Sequence, residues 1–419
     1  MPGWLRLLLT RQMLICVFTG FSSGLPLYLL LNLLPAWLRS EGVNLKTIGF
    51  FALIQFPYTW KFLWSPLLDR YRLPLGRRRG WMLLSQLGLL FCIGLLGGFS
   101  PGSDLVPVIW LSVVLAFLSA TQDVALDAFR REILSDQELG LGNSVHVNAY
   151  RIAGLVPGSL SLILADLLPW SQVFWITAAF MLPGMVMVLV VREPAVLGVP
   201  KTLRQAVVEP FHEFIGRQGW RGAMLVLGFI FLYKLGDSLA TALATPFYLD
   251  LGYSKTDIGV IAKHAGLWPA VFGGLLGGLW MVRLGINRAL WLFGIVQMVT
   301  ILGFAWLAWH GVQSPVDAAD RVALAAVIAA ECLGVGLGTA AFVAFIARAT
   351  NPAFTATQFA LFTSLAAVPR TFINATAGAL VESMGWISFF LLCFVLAAPG
   401  MLLLLKVAPW NEIRSSPQG

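Results

Sequence analysis

Long apolar segments of about 20 residues recur along the chain, separated by shorter polar segments. Segments such as 82–99 and 395–405 are apolar on every face, without the alternation of a strand or the polar stripe of a surface helix. Because about 20 apolar residues in a helix cross the hydrocarbon core of a membrane, the pattern predicts twelve membrane-spanning helices. The predicted spans are 13–38, 47–69, 81–99, 108–127, 143–167, 172–191, 221–248, 256–282, 289–309, 321–347, 356–382 and 387–406.

The composition excludes a soluble protein of this size. Hydrophobic residues make up 58% of the 419 residues and charged residues only 11%, whereas a soluble domain has about 25% charged residues. We therefore predict an all-α integral membrane protein whose surface is largely matched to lipid. The formal net charge of +8 is explained by where the basic residues lie relative to the membrane, and we expect no nucleic-acid partner.

The distribution of Lys and Arg predicts the orientation. When the N-terminus is placed in the cytoplasm, most of the 28 Lys and Arg fall in inside segments. The outside loops then contain only Arg39, Lys46, Lys255 and Arg321. Cytoplasmic loops of membrane proteins carry an excess of basic residues, so both termini are predicted to be cytoplasmic.

The longest predicted loop divides the chain into two halves of six spans each. The halves match weakly, and Arg151 in span five corresponds to Arg370 in span eleven. Two six-helix halves are the arrangement of major facilitator transporters, which bind substrate near the membrane midplane. We therefore predict the major facilitator fold. Its parts are an N-terminal half (1–191), a cytoplasmic linker (192–220), a C-terminal half (221–406) and a polar C-terminal tail (407–419).

The loop after span two carries a cluster of charges. It resembles the major facilitator loop signature, an Asp at the end of span two followed by a Gly-Arg-Arg cluster, with Tyr71 to Leu75 as additional residues. A carboxylate that pairs with arginines at the membrane edge can stabilise one of two orientations of the halves, so we predict a cytoplasmic latch. Plain positive-inside topology is the alternative. The predicted gating residues are Asp69, Arg70, Gly76, Arg77 and Arg78.

Several ionisable residues fall inside predicted spans, where one charge costs at least about 2.5–3.5 kcal/mol. They are Lys61, Asp123, Arg151, Lys234, Asp237, Lys263, His264, Glu331 and Arg370. Because the cations outnumber the carboxylates, we predict a polar cavity that accepts an anionic solute. The predicted substrate-binding cations are Lys61, Arg151, Lys234, Lys263 and Arg370. The alternative is ion pairing inside the bundle, which Lys234 and Asp237 can form at i, i+3.

Two aromatic residues beside Lys61 are further candidates for substrate binding. Tyr58 and Trp60 offer flat faces of the kind that pack against the C–H faces of sugar rings. Packing between helices is the alternative interpretation of both residues.

A proton-coupled transporter needs a carboxyl group that binds and releases a proton as the conformation changes. The candidates inside the spans are Glu331, Asp123 and Asp237. We rank Glu331 first because it lies about 15 Å from either end of span ten at helical rise, with no cation within one turn. Asp123 lies nearer the end of span four, and Asp237 has a cation partner in Lys234. The alternative for Glu331 is permanent pairing with Lys263, Arg370 or another cation across the bundle.

Short motifs spread over nearly the whole chain resemble one transporter family. They are GFSSGLPL at 20–27, KTIGFFALIQFPYTWKFLWSPLLDRY at 46–71, GRRRGW at 76–81, QDVALDA at 122–128, YKLGD at 233–237, GTAAFVA at 338–344 and TATQFAL at 355–361. Each motif is weak alone, but their ordered set resembles the bacterial muropeptide permease family of the major facilitator superfamily. The polar intramembrane positions of that family match the ionisable residues named above, His264 excepted.

The resemblance implies import of N-acetylglucosaminyl-1,6-anhydro-N-acetylmuramyl peptides from the periplasm to the cytoplasm. It further implies symport with protons across the bacterial inner membrane, a role in peptidoglycan recycling and, in some bacteria, a link to β-lactamase induction. Longer members of the family continue with hydrophobic segments beyond the position that matches Lys406, which leaves a related substrate open.

Other function classes differ in features that can be checked. A relative of the same fold could import another bulky anion, such as a siderophore or an acyl-coenzyme A, and competition uptake would separate the two. A sensor predicts a large soluble domain and an enzyme predicts a catalytic constellation near one interface, so we expect neither and assign no catalytic residues. The four cysteines are far apart in apolar segments, and we expect no metal and no cofactor. The expected partners are the muropeptide substrate, protons and the lipid bilayer, and we expect a monomer.

Overall fold

The computed structural model describes residues 10–43, 51, 54, 56–194, 202–253, 255–311, 316–368 and 373–411. Apart from one isolated bridge between Leu73 and Gly76, these residues form helices and the connections between them. The prediction of an all-helical chain is therefore confirmed for the described residues.

The helices follow one another through short connections. In chain order they are α1 (Arg11–Tyr28), α2 (Leu34–Ser40), α3 (Phe56–Trp60), α4 (Ser65–Arg70), α5 (Arg79–Leu96), α6 (Leu105–Ile133), α7 (Leu139–Ala153), α8 (Ser161–Ala165), α9 (Trp170–Ala179), α10 (Leu182–Val190), α11 (Leu203–Leu232), α12 (Leu235–Ala242), α13 (Ala244–Asp250), α14 (Lys255–His310), α15 (Ala318–Ala349), α16 (Thr355–Val368) and α17 (Ala377–Val407). A π-helical turn, Leu29–Leu33, joins α1 to α2, and a second, Val156–Leu160, leads into α8.

Nine helical stretches of the described residues are long and apolar enough to cross a membrane, by length and composition alone. Three long helices contain a glycine that leaves the helical conformation: Gly219 in α11, Gly285 in α14 and Gly385 in α17, with φ of 67°, 75° and 76°. Positive φ suits glycine because it has no Cβ, and each of these residues lies between two predicted spans. Some predicted spans agree directly, such as span six (172–191), which corresponds to the stretch Trp170–Val190. Predicted spans two (47–69) and eleven (356–382) include residues outside the described part of the chain.

The chain divides into two compact units, each with an aromatic core. Unit 1 comprises Met1–Ser135, Val145–His212 and Thr350–Ser364, and unit 2 comprises Asp136–Ser144, Glu213–Ala349 and Leu365–Gly419. In unit 1, Trp37 meets Phe174 edge-on with ring centroids 4.8 Å apart. In unit 2, Phe247 meets Phe390 in the same manner at 4.8 Å. Edge-to-face packing is a favoured arrangement of buried rings, so each core is fixed by its own aromatic contacts.

Two lysines lie where helices break. Lys61 begins the 3-10 turn Lys61–Leu63 between α3 and α4, and Lys234 precedes α12 with non-helical φ and ψ of −101° and 4°. A break inside an apolar helix is tolerated only where neighbouring groups satisfy the freed polar atoms. Each lysine therefore marks a polar part of its unit.

Candidate transport site

The first group of buried charges lies in unit 1 and centres on Asp127 of α6. Its Oδ1 accepts a hydrogen bond of 2.8 Å from Nη2 of Arg130, one turn later. Its Oδ2 lies 3.8 Å from Nζ of Lys61, which is only 7% exposed. A buried cation is tolerated when a carboxylate faces it. Lys61, a predicted substrate-binding residue, is thus paired with Asp127 in this structure.

Asp123 lies one turn before Asp127 on the same helix. The Ser23 hydroxyl of α1 donates a hydrogen bond of 2.6 Å to Asp123 Oδ1. One turn earlier on α1, Thr19 Oγ1 lies 3.1 Å from Nδ1 of the buried His146 on α7. Polar side chains of α1 and α7 therefore extend the group of charges on α6. We call the charged residues Lys61, Asp123, Asp127 and Arg130 the N cluster.

The two aromatic candidates lie in different surroundings. Tyr58 is half-buried and packs against the hydrophobic core of unit 1. Trp60 is 37% exposed and stacks between Phe56 and Phe62, with centroid distances of 5.4 and 5.9 Å. The contact of Tyr58 and Trp60 with a sugar ring stays a prediction.

Of the candidate cations Arg151, Lys263 and Arg370, Arg151 is the one whose side chain belongs to the described residues. Arg151 is half-buried in α7. The side chain of Lys263 and the whole of Arg370 lie outside the described residues, so the role of Arg151, Lys263 and Arg370 as substrate-binding cations stays a prediction. His264 is exposed.

A second group of buried charges lies in unit 2. The ammonium of Lys234 lies 3.2 Å from Oδ2 of Asp237, one turn later. This is the i, i+3 pair that the alternative interpretation predicted. Glu331 of α15 is a neighbour of this pair, and we call Lys234, Asp237 and Glu331 the C cluster.

Glu331 is 1% exposed, and neither of its carboxylate oxygens accepts a hydrogen bond from the described residues. The same holds for Oδ1 of Asp237. The nearby Thr300 hydroxyl donates to the backbone oxygen of Gln297 at 2.9 Å. A cavity of about 10 Å³ lined by Tyr233, Asp237 and Gln297 has room for about one water molecule. Buried acceptor oxygens without a donor are costly, so this arrangement suits a group that takes up a proton.

The Asp69 carboxylate forms the best satisfied acidic site of unit 1. It is 0% exposed, and its Oδ1 accepts a hydrogen bond of 2.7 Å from Nη2 of Arg78. Its Oδ1 and Oδ2 also accept hydrogen bonds from the backbone N–H groups of Ala356 and Thr357, at 3.2 and 2.8 Å. The Thr357 hydroxyl donates to Oδ2 at 2.7 Å. Because the first N–H groups of a helix lack intrahelical partners, a carboxylate at the start of α16 is favoured by both hydrogen bonding and the helix dipole.

Two further carboxylates hold the predicted gating arginines. Glu132 Oε1 accepts hydrogen bonds from Arg77 Nη2 at 2.7 Å and from Arg78 Nη2 at 2.8 Å. Glu193 Oε1 accepts one from the backbone N–H of Arg78 at 2.9 Å. Burial lowers the pKa of Arg78, but the carboxylates of Glu132 and Asp69 raise it, and the net shift is upward. Burial, and next the charge of Arg78, lower the pKa of Arg77.

Gly76 and Arg70 have separate roles in the same loop. Gly76 has φ of 131°, and a side chain there would collide with the Glu193 carboxylate. The guanidinium of Arg70 lies 5.6 Å from the ring centroid of Tyr71, a distance suited to a cation–π contact. The carboxylate network of Asp69 therefore uses Arg77 and Arg78, while Arg70 contacts an aromatic ring.

The residues of these networks that the sequence analysis missed include Asp127, Arg130, Glu132, Glu193 and Thr357. Sequence signals were available for two of them. Glu132 follows Arg130 and Arg131 at the end of a span that the orientation rule assigns to the same membrane side as Arg78, and Thr357 belongs to the TATQFAL motif.

Comparisons with known proteins identify the family. The Major Facilitator Superfamily model matches residues 16–368. An uncharacterized protein of Haemophilus influenzae is 52% identical over 408 residues, 96% of each chain. The anhydromuropeptide permease of Escherichia coli is 42% identical over 406 residues, 96% of this chain and 81% of that permease. The crystal structure of the human organic anion transporter MFSD10 matches with a TM-score of 0.72 at 16% identity, over 96% of this chain and 100% of that chain.

The last of these similarities concerns the fold alone, because its sequence identity is low. With the family model it confirms the predicted major facilitator fold of a multi-pass membrane protein. The chain belongs to the anhydromuropeptide permease family of the Major Facilitator Superfamily.

Proposed function

We propose that this protein imports anhydro-muropeptides, the N-acetylglucosaminyl-1,6-anhydro-N-acetylmuramyl peptides of peptidoglycan recycling, in symport with protons. The observation that carries the proposal is the 42% identity to the anhydromuropeptide permease over 96% of the chain. The major facilitator fold supports it, since this fold binds solutes near the midplane between two six-helix halves. We assign these halves to 1–191 and 221–406, joined by the linker 192–220.

The proposed location is the bacterial inner membrane, with both termini in the cytoplasm. The scarcity of Lys and Arg in the outside loops supports this orientation. We propose that the protein is a monomer that transports substrate together with protons and binds no metal, cofactor or nucleic acid.

Lys61 is the proposed contact for the peptide carboxylates of the substrate. Its distance of 3.8 Å from Asp127 is long for an ion pair, whereas Arg130 holds the same carboxylate at 2.8 Å. Because Arg130 keeps Asp127 paired, the Lys61 ammonium can exchange to a substrate carboxylate at lower cost. The further proposed contacts are Arg151, Lys234, Lys263, Arg370, Tyr58 and Trp60.

Glu331 is the proposed proton-coupling group, with Asp237 as its partner and Asp123 as the second candidate. Two carboxylates beside one lysine leave one negative charge in excess among the described side chains. A proton on Glu331 supplies the donor that the unpaired oxygens of Glu331 and Asp237 lack. The charge state of the C cluster thereby becomes sensitive to the proton gradient.

Asp69 is the proposed latch. Its carboxylate connects the loop after α4 to the start of α16, and it is fully desolvated. Breaking that contact exposes both the carboxylate and the helix terminus to water, so the contact biases the protein toward the state in which it is intact.

Uptake by proteoliposomes with an imposed pH gradient tests the proposed function. We expect labelled anhydro-muropeptide to accumulate inside the proteoliposomes when the outside is acidic. A protonophore that removes the pH gradient should abolish this accumulation. Equal accumulation with and without the gradient would contradict proton coupling. Labelled siderophore and labelled acyl-coenzyme A are measured in parallel, and uptake of either one without uptake of muropeptide would favour the other bulky anion.

A further inference from the structure

An open groove of about 610 Å³ runs between α1 and α10 on the surface of unit 1. Its apolar walls include Leu14 and Phe18 of α1 and Leu182, Val186 and Val190 of α10. Val186 and Val190 are 58% and 70% exposed. Both helices are long and apolar enough to belong to membrane spans, so the groove faces hydrocarbon and has the chemistry of an acyl-chain site.

One end of the groove carries positive charge. Arg11 is the charged residue of the lining; it is exposed and takes part in none of the ion pairs formed by the described residues. Arg192, also exposed, directly follows the lining residue Val191. The guanidinium of Arg79 donates to the last carbonyls of α10 at 2.8 Å, so this end of the wall is fixed.

We propose that the groove binds one anionic phospholipid, with its phosphate at Arg11 and Arg192 and one acyl chain along the apolar walls. The charge decides the occupant, because a net anionic headgroup complements the arginines, whereas the amine of a zwitterionic headgroup opposes them. Under the proposed orientation, this end lies at the cytoplasmic leaflet.

Helix α1 connects the groove to the N cluster. Leu14 and Phe18 line the groove from one face of α1, while Thr19 and Ser23 contact His146 and Asp123 from the opposite, buried face. A lipid seated in the groove therefore packs against the helix that positions the hydroxyl donor to Asp123.

Native mass spectrometry of the whole chain in detergent tests the proposal, with dioleoyl-phosphatidylglycerol and dioleoyl-phosphatidylethanolamine as probes. We expect the first phosphatidylglycerol to bind at least about fivefold more tightly than phosphatidylethanolamine. Arg11→Gln should weaken that first binding step about fivefold, as expected for one arginine near an anionic headgroup. Val186→Trp, which fills the groove, should weaken it about tenfold, and Leu14→Trp replaces this variant should it misfold.

Two control variants keep the test specific. Arg283→Gln removes another exposed arginine, and Val114→Trp enlarges another exposed apolar residue of unit 1; both should keep the wild-type affinity within about twofold. The proposal is overturned by wild-type affinity in Arg11→Gln, by an equal loss in Arg283→Gln or Val114→Trp, or by equal binding of the two lipids.

Discussion

The N cluster of unit 1 and the C cluster of unit 2 bury the same kinds of group but balance them differently. In the N cluster two cations, Lys61 and Arg130, accompany two carboxylates, Asp123 and Asp127. In the C cluster the described side chains supply one cation, Lys234, for two carboxylates. An uncompensated charge at membrane depth is costly. The N cluster is therefore neutral with every carboxylate ionised, whereas the C cluster becomes neutral when it binds one proton.

The hydrogen bonds to the carboxylates also differ between the two clusters. Both oxygens of Asp127 face a cation, and Asp123 accepts a short hydrogen bond from Ser23. Glu331 and Oδ1 of Asp237 accept no hydrogen bond from the described residues. The comparison teaches that a buried carboxylate alone does not identify a coupling site; what matters is whether its neighbours already supply the positive charge and the donors.

The largest expected effect is loss of coupling in Glu331→Gln. With one coupled proton, a pH gradient of one unit supports about tenfold accumulation of substrate. The variant cannot exchange that proton, so we expect its accumulation ratio to fall to about one while exchange of labelled for unlabelled substrate continues. Proteoliposome uptake and counterflow, measured on the same preparation, separate the two activities.

Glu382→Gln is the matched control, because Glu382 is exposed. We expect this variant to accumulate substrate like the wild type. Normal, pH-dependent accumulation by Glu331→Gln would contradict the comparison. It would favour a Glu331 that is permanently paired with Lys263 or Arg370.

The next effect concerns Asp69, a buried carboxylate outside both clusters whose two oxygens both accept hydrogen bonds. Asp69→Asn keeps the size of the side chain but loses the charge that faces Arg78 and the start of α16. Charge-assisted hydrogen bonds contribute about 1.5–3 kcal/mol, so we expect transport to slow about tenfold or more with substrate affinity and coupling unchanged. Uptake rates and binding by calorimetry, with Asp166→Asn as an exposed control, measure this. Lost affinity with a normal rate would assign Asp69 to the substrate site.

The pattern of apolar segments predicted the membrane-spanning helices, because an apolar helix follows from a local rule. The placement of basic residues predicted the orientation, which stays a prediction. Contacts between residues close in the sequence could also be predicted, such as the pair of Lys234 and Asp237, three residues apart. Arg78, one partner of Asp69, was predicted from the loop signature. Thr357 was not, since it comes from another helix and nothing local indicates that α16 starts beside the loop. The charge imbalance of the C cluster could not be predicted for the same reason, since Glu331 and Asp237 come together only in the folded protein.

A smaller effect is expected in the N cluster, for Lys61→Gln. The ammonium should contribute about 1 kcal/mol to a partly screened carboxylate contact, so we expect about fivefold weaker affinity for muropeptides that carry a peptide. The affinity for the peptide-free disaccharide should stay unchanged, as should both affinities in the exposed control Lys406→Gln. Equal losses for both substrates would make Lys61 a sugar ligand or a structural residue.

The smallest effect separates the two clusters directly. Asp123→Asn keeps an oxygen that can accept the hydrogen bond from Ser23 and removes one negative charge from a cluster that is already balanced. The excess positive charge that results lies beside Lys61, where it favours an anionic substrate and requires no proton. We therefore expect the accumulation ratio to stay within about twofold of the wild type, measured beside Glu331→Gln under the same pH gradient. If Asp123→Asn instead loses accumulation and keeps exchange, the proton is carried by the N cluster, and charge balance among the described side chains is not the property that selects the coupling group.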